Sequence, residues 1–172
     1  MGPLVDAATA ARRRNVSETE LVDVVDAVLQ ASRALVAVAA RSLARVEGNV
    51  TIPQYRAMVM LASRGPQTAG ALADSLGIHL STLTRLCDRL VAKGLITRAE
   101  EPANRRRVTL SLMPRGKRLV RSVTATRRDE IAAILRRVPP VQRSELVAAL
   151  RAFGEAAGEP ADSSWAPEWF AE

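Results

Sequence analysis

Residues 68–113 read TAGALADSLGIHLSTLTRLCDRLVAKGLITRAEEPANRRRVTLSLM, and this stretch decides the fold. Two short helical patterns are followed at once by a basic hairpin. Ala71, Leu72 and Leu76 share one face of a short helix that opens near Thr68, and Gly77 supplies the backbone freedom of a tight turn. A second helix starts around Leu80–Ser81, where Ser81 and Thr82 are suited to cap it. Leu83, Leu86, Cys87 and Leu90 recur at helical spacing and form its inner face. Gly94 closes it after Lys93, a cation favoured by the macrodipole in a last turn.

The opposite face of that second helix carries Ser81, Thr82, Thr84, Arg85, Asp88 and Arg89. Hydroxyls can exchange hydrogen bonds with base edges and phosphates, and an arginine can pair with guanine through two bonds. An isolated helix of this kind is better read as a solvated surface. The basic hairpin next to it decides otherwise. A strand opens at Leu95-Ile96, and Val108, Leu110 and Leu112 alternate with Arg107, Thr109 and Ser111 in a returning strand with one buried face. Between them lie the turn-rich Glu100–Asn104 and three successive arginines, Arg105, Arg106 and Arg107, placed to reach a DNA backbone or minor groove beside the helix.

Charge is concentrated in the same place. From Ser81 to Arg121 there are eleven Lys and Arg against three acids, Asp88, Glu100 and Glu101, while the whole 172-residue chain carries only +7. The remainder is therefore close to neutral. A reading module that neutralises phosphates needs this focus, whereas a uniformly basic chain would suit non-specific polyanion or membrane binding.

These residues resemble the MarR-type transcriptional regulators, small dimeric winged-helix repressors. The resemblance runs from about Val50 to Leu119. It is carried by Thr51–Tyr55, Gly70–Ala73, Ser81–Arg85, Asp88–Leu90, Lys93–Ile96, Asn104–Arg106 and Leu112–Gly116. Asn104 stands where that family usually has an aspartate that can hold a neighbouring arginine; the wing is then looser, or Asp88 takes over the orienting role. Met113 stands where a capping threonine is usual, an absence that Pro114, suited to a first helical position, partly offsets.

The fold expected is mainly α with a small β-wing: a winged helix-turn-helix flanked by N- and C-terminal dimerisation helices. The divisions are a flexible arm (1–16), an N-terminal dimerisation helix (17–48), the winged helix-turn-helix (49–113), C-terminal dimerisation helices (114–158) and an aromatic tail (159–172). Ser17–Glu20 reads as a capping box opening a helix to Val46, with Leu21, Val24, Val25, Val28, Leu35, Ala39 and Leu43 on one stripe. Pro114 opens another helix, with Val120, Val123, Ile131, Ile134, Leu135 and Val138, that Pro139-Pro140 breaks; Leu146, Leu150 and Phe153 mark a last one. Apolar helices at both ends with no sheet to cover them favour a homodimer over a self-closing monomeric bundle. Three of the five aromatics, Trp165, Trp169 and Phe170, fall in the last eight residues, either docked on the body or its partner or simply disordered.

The longest apolar run, Ala34–Ala40, is seven residues between two arginines, far short of the ~20 that span a bilayer. No secretory signal is visible, and a lone Cys87 fits a reducing cytoplasm. One cysteine and one histidine leave little for a nucleophile, metal or cofactor site, so the chain reads as a non-enzyme without cofactor or metal. The expected partner is double-stranded DNA, contacted by Thr68, Ser81, Thr82, Thr84, Arg85, Arg89, Arg105, Arg106 and Arg107. A dimer would present two reading helices to successive major grooves of a pseudo-palindrome. A low-specificity architectural DNA-binding protein and a protein-interaction module are the alternatives. The resemblance also implies a small aromatic or anionic effector, with Tyr55, Arg56 and Met58 as candidate lining or, equally, as plain core.

Overall fold

The computed structural model describes residues 3–46, 49–101 and 104–159. They divide into two compact units, Met1–Val38 and Ala39–Glu172. The elements are α1 (Pro3–Ala44), α2 (Ile52–Arg64), β1 (Gln67–Thr68), α3 (Ala69–Leu76), α4 (Leu80–Ala92), β2 (Ile96–Glu101), β3 (Asn104–Leu112), α5 (Pro114–Leu135) and α6 (Pro140–Ala156).

The first unit is a stretch of α1, which begins at Pro3 and not at the expected Ser17. Pro3 suits a first helical position, and no further Gly or Pro occurs before Gly48. Ala7, Ala8, Ala10 and Ala11 are among the best helix formers. Ser17–Glu20 therefore lies inside the helix, which does not begin there. Leu21, Val24, Val25, Leu29 and Leu35 remain exposed along it.

The second unit holds the core. Thr51 opens α2 with a reciprocal capping box: its hydroxyl accepts from Gln54 N, and the Gln54 side chain accepts from Thr51 N. Thr68 caps α3 by accepting from Ala71 N, and α3 closes at Gly77, whose φ of +63° only glycine adopts freely. There Gly77 N donates to Asp74 O and Ile78 N to Ala73 O, satisfying carbonyls the helix leaves open. Helix α4 then starts at His79, which contributes no side-chain cap. Ser81 and Thr82 sit too late in the helix for the capping expected of them, and His79 O accepts from Thr82 N and Leu83 N.

Strands β2 and β3 pair antiparallel, and β1 adds to the other edge of β3 in the order β1-β3-β2. The register sets Ile96 opposite Leu112 and Arg98 opposite Leu110, with an irregularity at Glu100/Glu101. Met58, Leu72, Leu83, Leu90, Leu95, Ile96, Leu110, Val120 and Val123 are fully buried between the sheet and α2–α5. Gly116 lets α5 touch the hairpin base: a Cβ there would stand 2.1 Å from Leu95 O. That carbonyl accepts from Met113 N at 3.0 Å, and Met113 itself gives α5 no side-chain cap. Helix α6 contributes no buried residue, and Val147, Leu150 and Phe153 stay exposed on it. Near the start of this unit Arg41 and Arg45 pair with Glu130 of α5.

Candidate nucleic-acid interface

Helix α4 is two-sided. Leu83, Cys87 and Leu90 are buried, while Ser81, Thr82, Thr84, Arg85, Asp88 and Arg89 are exposed. The spacing of the apolar residues leaves those six on one outward surface. Their bonding states differ. Thr84 Oγ1 donates to Leu80 O at 2.9 Å, so this hydroxyl can only accept from a ligand. Both Arg85 and Arg89 are exposed, and among the described residues neither has a side-chain partner. Thr68 is half-buried and accepts from Ala71 N as the α3 cap, which leaves its hydroxyl hydrogen able to donate to a ligand. Arg105, Arg106 and Arg107, expected between the two strands, lie within β3, which starts at Asn104; their side chains fall outside the described ones.

One contact joins the exposed face to the hairpin, and it involves a residue absent from the expected set. Ile96 and Arg98 alternate onto the strand face opposite Leu112 and Leu110. Arg98 lies opposite the buried Leu110, and its guanidinium reaches α4. It pairs with Asp88 Oδ1 at 2.7 Å and donates to Thr84 O at 3.2 Å. Asp88 thus orients a hairpin arginine, though one on β2. A charged residue in an inward register was the available signal.

Beneath this contact, burial pushes the Cys87 thiol up from its ordinary 9.0; the positive charge of Arg98 opposes the rise and Asp88 adds to it. A thiol so held is a poor nucleophile. Lys93, at the other end of α4, donates to Asn49 O at 2.7 Å and ties the helix end to the segment before α2.

A cavity of about 350 Å³ lies by α2, lined by Tyr55, Arg56, Val59, Val123, Arg127 and Glu159 among others. Met58 is fully buried core, the second of the two readings open for it, whereas Tyr55 and Arg56 line the cavity. Among the described residues no group of three His, Cys, Asp or Glu could hold a metal ion, and no helix is long and apolar enough to cross a membrane.

Residues 50–108, the segment that builds this two-sided helix and its hairpin, match the sequence pattern of the MarR family. A crystal structure of RV1404 from Mycobacterium tuberculosis is 48% identical and superimposes with a TM-score of 0.75, over 82% of this chain and 97% of that one. The chain belongs to the MarR family. A MarR family protein from Bacillus stearothermophilus, 22% identical, shares the fold with a TM-score of 0.74 over 83% of this chain and 98% of its own. Among curated relatives, an uncharacterized HTH-type transcriptional regulator of Bacillus subtilis, YsmB, is 34% identical over 80 residues, 46% of this chain and 55% of that protein. The chain thus spans little more than half the length of that relative. In MarR terms, α3 and α4 are the helix-turn-helix and β2–β3 the wing. The edge strand β1 was not legible beforehand, because two residues carry no periodicity.

Proposed function

We propose that this MarR-family chain regulates transcription by reading double-stranded DNA with α4, most simply as a repressor that blocks a promoter. The observation that carries this is the outward face of α4. Arg85 and Arg89 are exposed and unengaged by described residues, beside Ser81, Thr82 and Thr84, on a helix whose other face is fully buried. Ser81, Thr82, Thr84 and Arg85 are assigned to base edges or helix placement, Arg89 to phosphate, and Arg105, Arg106 and Arg107 to the wing's contacts. The charge concentrated from Ser81 to Arg121 supports the same reading.

The functional unit proposed is a homodimer. Leu21, Val25, Leu29 and Leu35 of α1 and Val147, Leu150 and Phe153 of α6 are exposed in the single chain. Apolar stripes of this extent ordinarily mark an interface. Two copies would present two α4 helices about one DNA turn apart to a pseudo-palindromic operator. The cavity at Tyr55, Arg56 and Arg127 is proposed to admit a small aromatic or anionic effector, which would favour one spacing of the two helices over the other.

The test is an anisotropy titration of the intergenic DNA beside the chain's own gene, with random duplex as competitor. A regulator should prefer its operator by ~10³-fold or more. Loss of binding to the competitor would support an architectural protein instead, and absence of any binding at moderate salt would refute both.

A further inference from the structure

A second, almost wholly apolar groove of about 390 Å³ runs between α2 and α5, lined by Val59, Thr124, Ile131, Ala132 and Leu135 over the ring of Tyr55, with Arg127 at its rim. It is continuous with the 350 Å³ cavity by α2, because Tyr55, Val59 and Arg127 line both. The far wall of that cavity is Glu159, the last described residue.

The course of the chain into Glu159 is firmly set. Helix α6 ends in a paired turn: Glu159 N donates to Gly154 O and Gly158 N to Glu155 O, both at 3.0 Å, with Gly158 at a φ of +70°. Gly158 O accepts from Arg64, and the Glu159 carboxylate pairs with Arg56, so two arginines of α2 hold the exit point. The chain therefore leaves α6 beside the groove.

The last thirteen residues have the matching chemistry. Pro160 to Glu172 contains both tryptophans of the protein, Trp165 and Trp169, with Phe170. From Glu159 onward the chain carries four acids, Glu159, Asp162, Glu168 and Glu172, and no Lys or Arg. The groove offers carbon surface within a basic rim of Arg127 and Arg128, next to Arg56. Trp165 is six residues beyond Glu159, a reach of roughly 20 Å at ~3.3–3.6 Å per residue, enough to enter a groove that shares its wall with the anchor cavity.

We propose that the segment Trp165–Phe170 seats an indole of its own chain in the α2–α5 groove, held at its root by the Glu159–Arg56 pair. A buried indole removes ~150–250 Å² from water, which offsets the ordering of the short connection. Arg127, already 5.9 Å from the centroid of the Tyr55 ring, lies at the rim where it can stack on an indole as well.

Because Trp165 and Trp169 are the only tryptophans, selectively excited fluorescence of the whole protein reports on this segment alone. The native protein should emit to the blue of the urea-unfolded chain and resist iodide quenching. Ala132→Glu, which fills the half-buried groove with a like charge, should return both readings to those of the unfolded chain while circular dichroism stays native. If that variant does not fold, Leu135→Asp at the groove's end asks the same question. A chain ending at Glu159 should gain one saturable site for the apolar dye anilinonaphthalene sulfonate. Water-like emission from the native protein would overturn the proposal. So would a blue shift that survives Ala132→Glu, or one lost on dilution to monomers, which would place the indole on the partner subunit.

Discussion

Gly116→Ala tests the packing that fixes the wing beneath the body. The added Cβ would lie 2.1 Å from Leu95 O and 3.0 Å from Leu112 Cδ2, so backbone must move by an ångström or more. Overpacking of this kind costs about 1–3 kcal/mol. The displaced Leu95 carbonyl also loses its bond from Met113 N, and an unsatisfied buried carbonyl costs about 1–3 kcal/mol. Replacing glycine inside a helix returns about 0.5–1 kcal/mol. The net expectation is a loss of about 1–5 kcal/mol, which for a chain of this size lowers Tm by on the order of 10 °C. Gly154→Ala is the control: it lies inside α6 with nothing within 4 Å of its added Cβ, so it should gain the helix term alone and melt higher than the parent. Thermal unfolding of all three at one protein concentration supplies the reading, since a dimer's Tm depends on concentration. A Gly116→Ala protein as stable as the parent would refute the claimed contact between α5 and the hairpin base.

Arg98 and Asp88, both substantially exposed, should show a coupling of only about 0.2–1 kcal/mol in a double-mutant unfolding cycle. Arg98→Ala should nonetheless weaken DNA binding on every sequence, and Arg98→Lys should not restore it, because one ammonium group cannot serve Asp88 and Thr84 O together; unchanged affinity would remove Arg98 from the positioning role. Cys87 should react with a thiol reagent only as fast as the protein unfolds, and labelling on mixing would contradict its burial. With its folded pKa raised, the folded state holds the thiol proton more tightly than the unfolded chain, so this contribution is intact below about pH 9.0 and is lost above it. Stability should therefore decline above that pH more in the parent than in Cys87→Ala. Leu150→Lys and Phe153→Glu on α6 should shift sedimentation toward monomer while leaving the fold intact; an unchanged dimer would exclude this face from the interface.

The sequence was legible wherever one period governed a whole element. Leu83, Cys87 and Leu90 announced the buried face of α4, and Leu110 within its alternating strand announced β3. Gly77 and Gly94 marked turns that do adopt positive φ. Boundaries failed where several residues could serve the same end. Ser17 offered a cap, but the alanines before it continue the helix to Pro3 without one. Ser81 and Thr82 offered caps, yet the chain enters α4 at His79. The site was legible where exposure follows periodicity, as at Arg85 and Arg89, and was missed where a tertiary approach decides the role. Arg98 acquires its role only because β2 brings it over Asp88. Met58 and Tyr55 are three apart on α2 and both are buried, but only packing shows that Tyr55 also lines a cavity.

The central claim is that α4 reads bases while its surroundings hold it in place. The most direct measurement is binding of the parent and Arg85→Ala to an operator and to each of its single-base-pair variants. Arg85→Ala is expected to cost ~1–3 kcal/mol on the operator and to lose discrimination at one base pair in each half-site, the two positions related by the operator's dyad. Uniform weakening across all variants, with discrimination intact, would contradict the claim and make Arg85 a phosphate anchor.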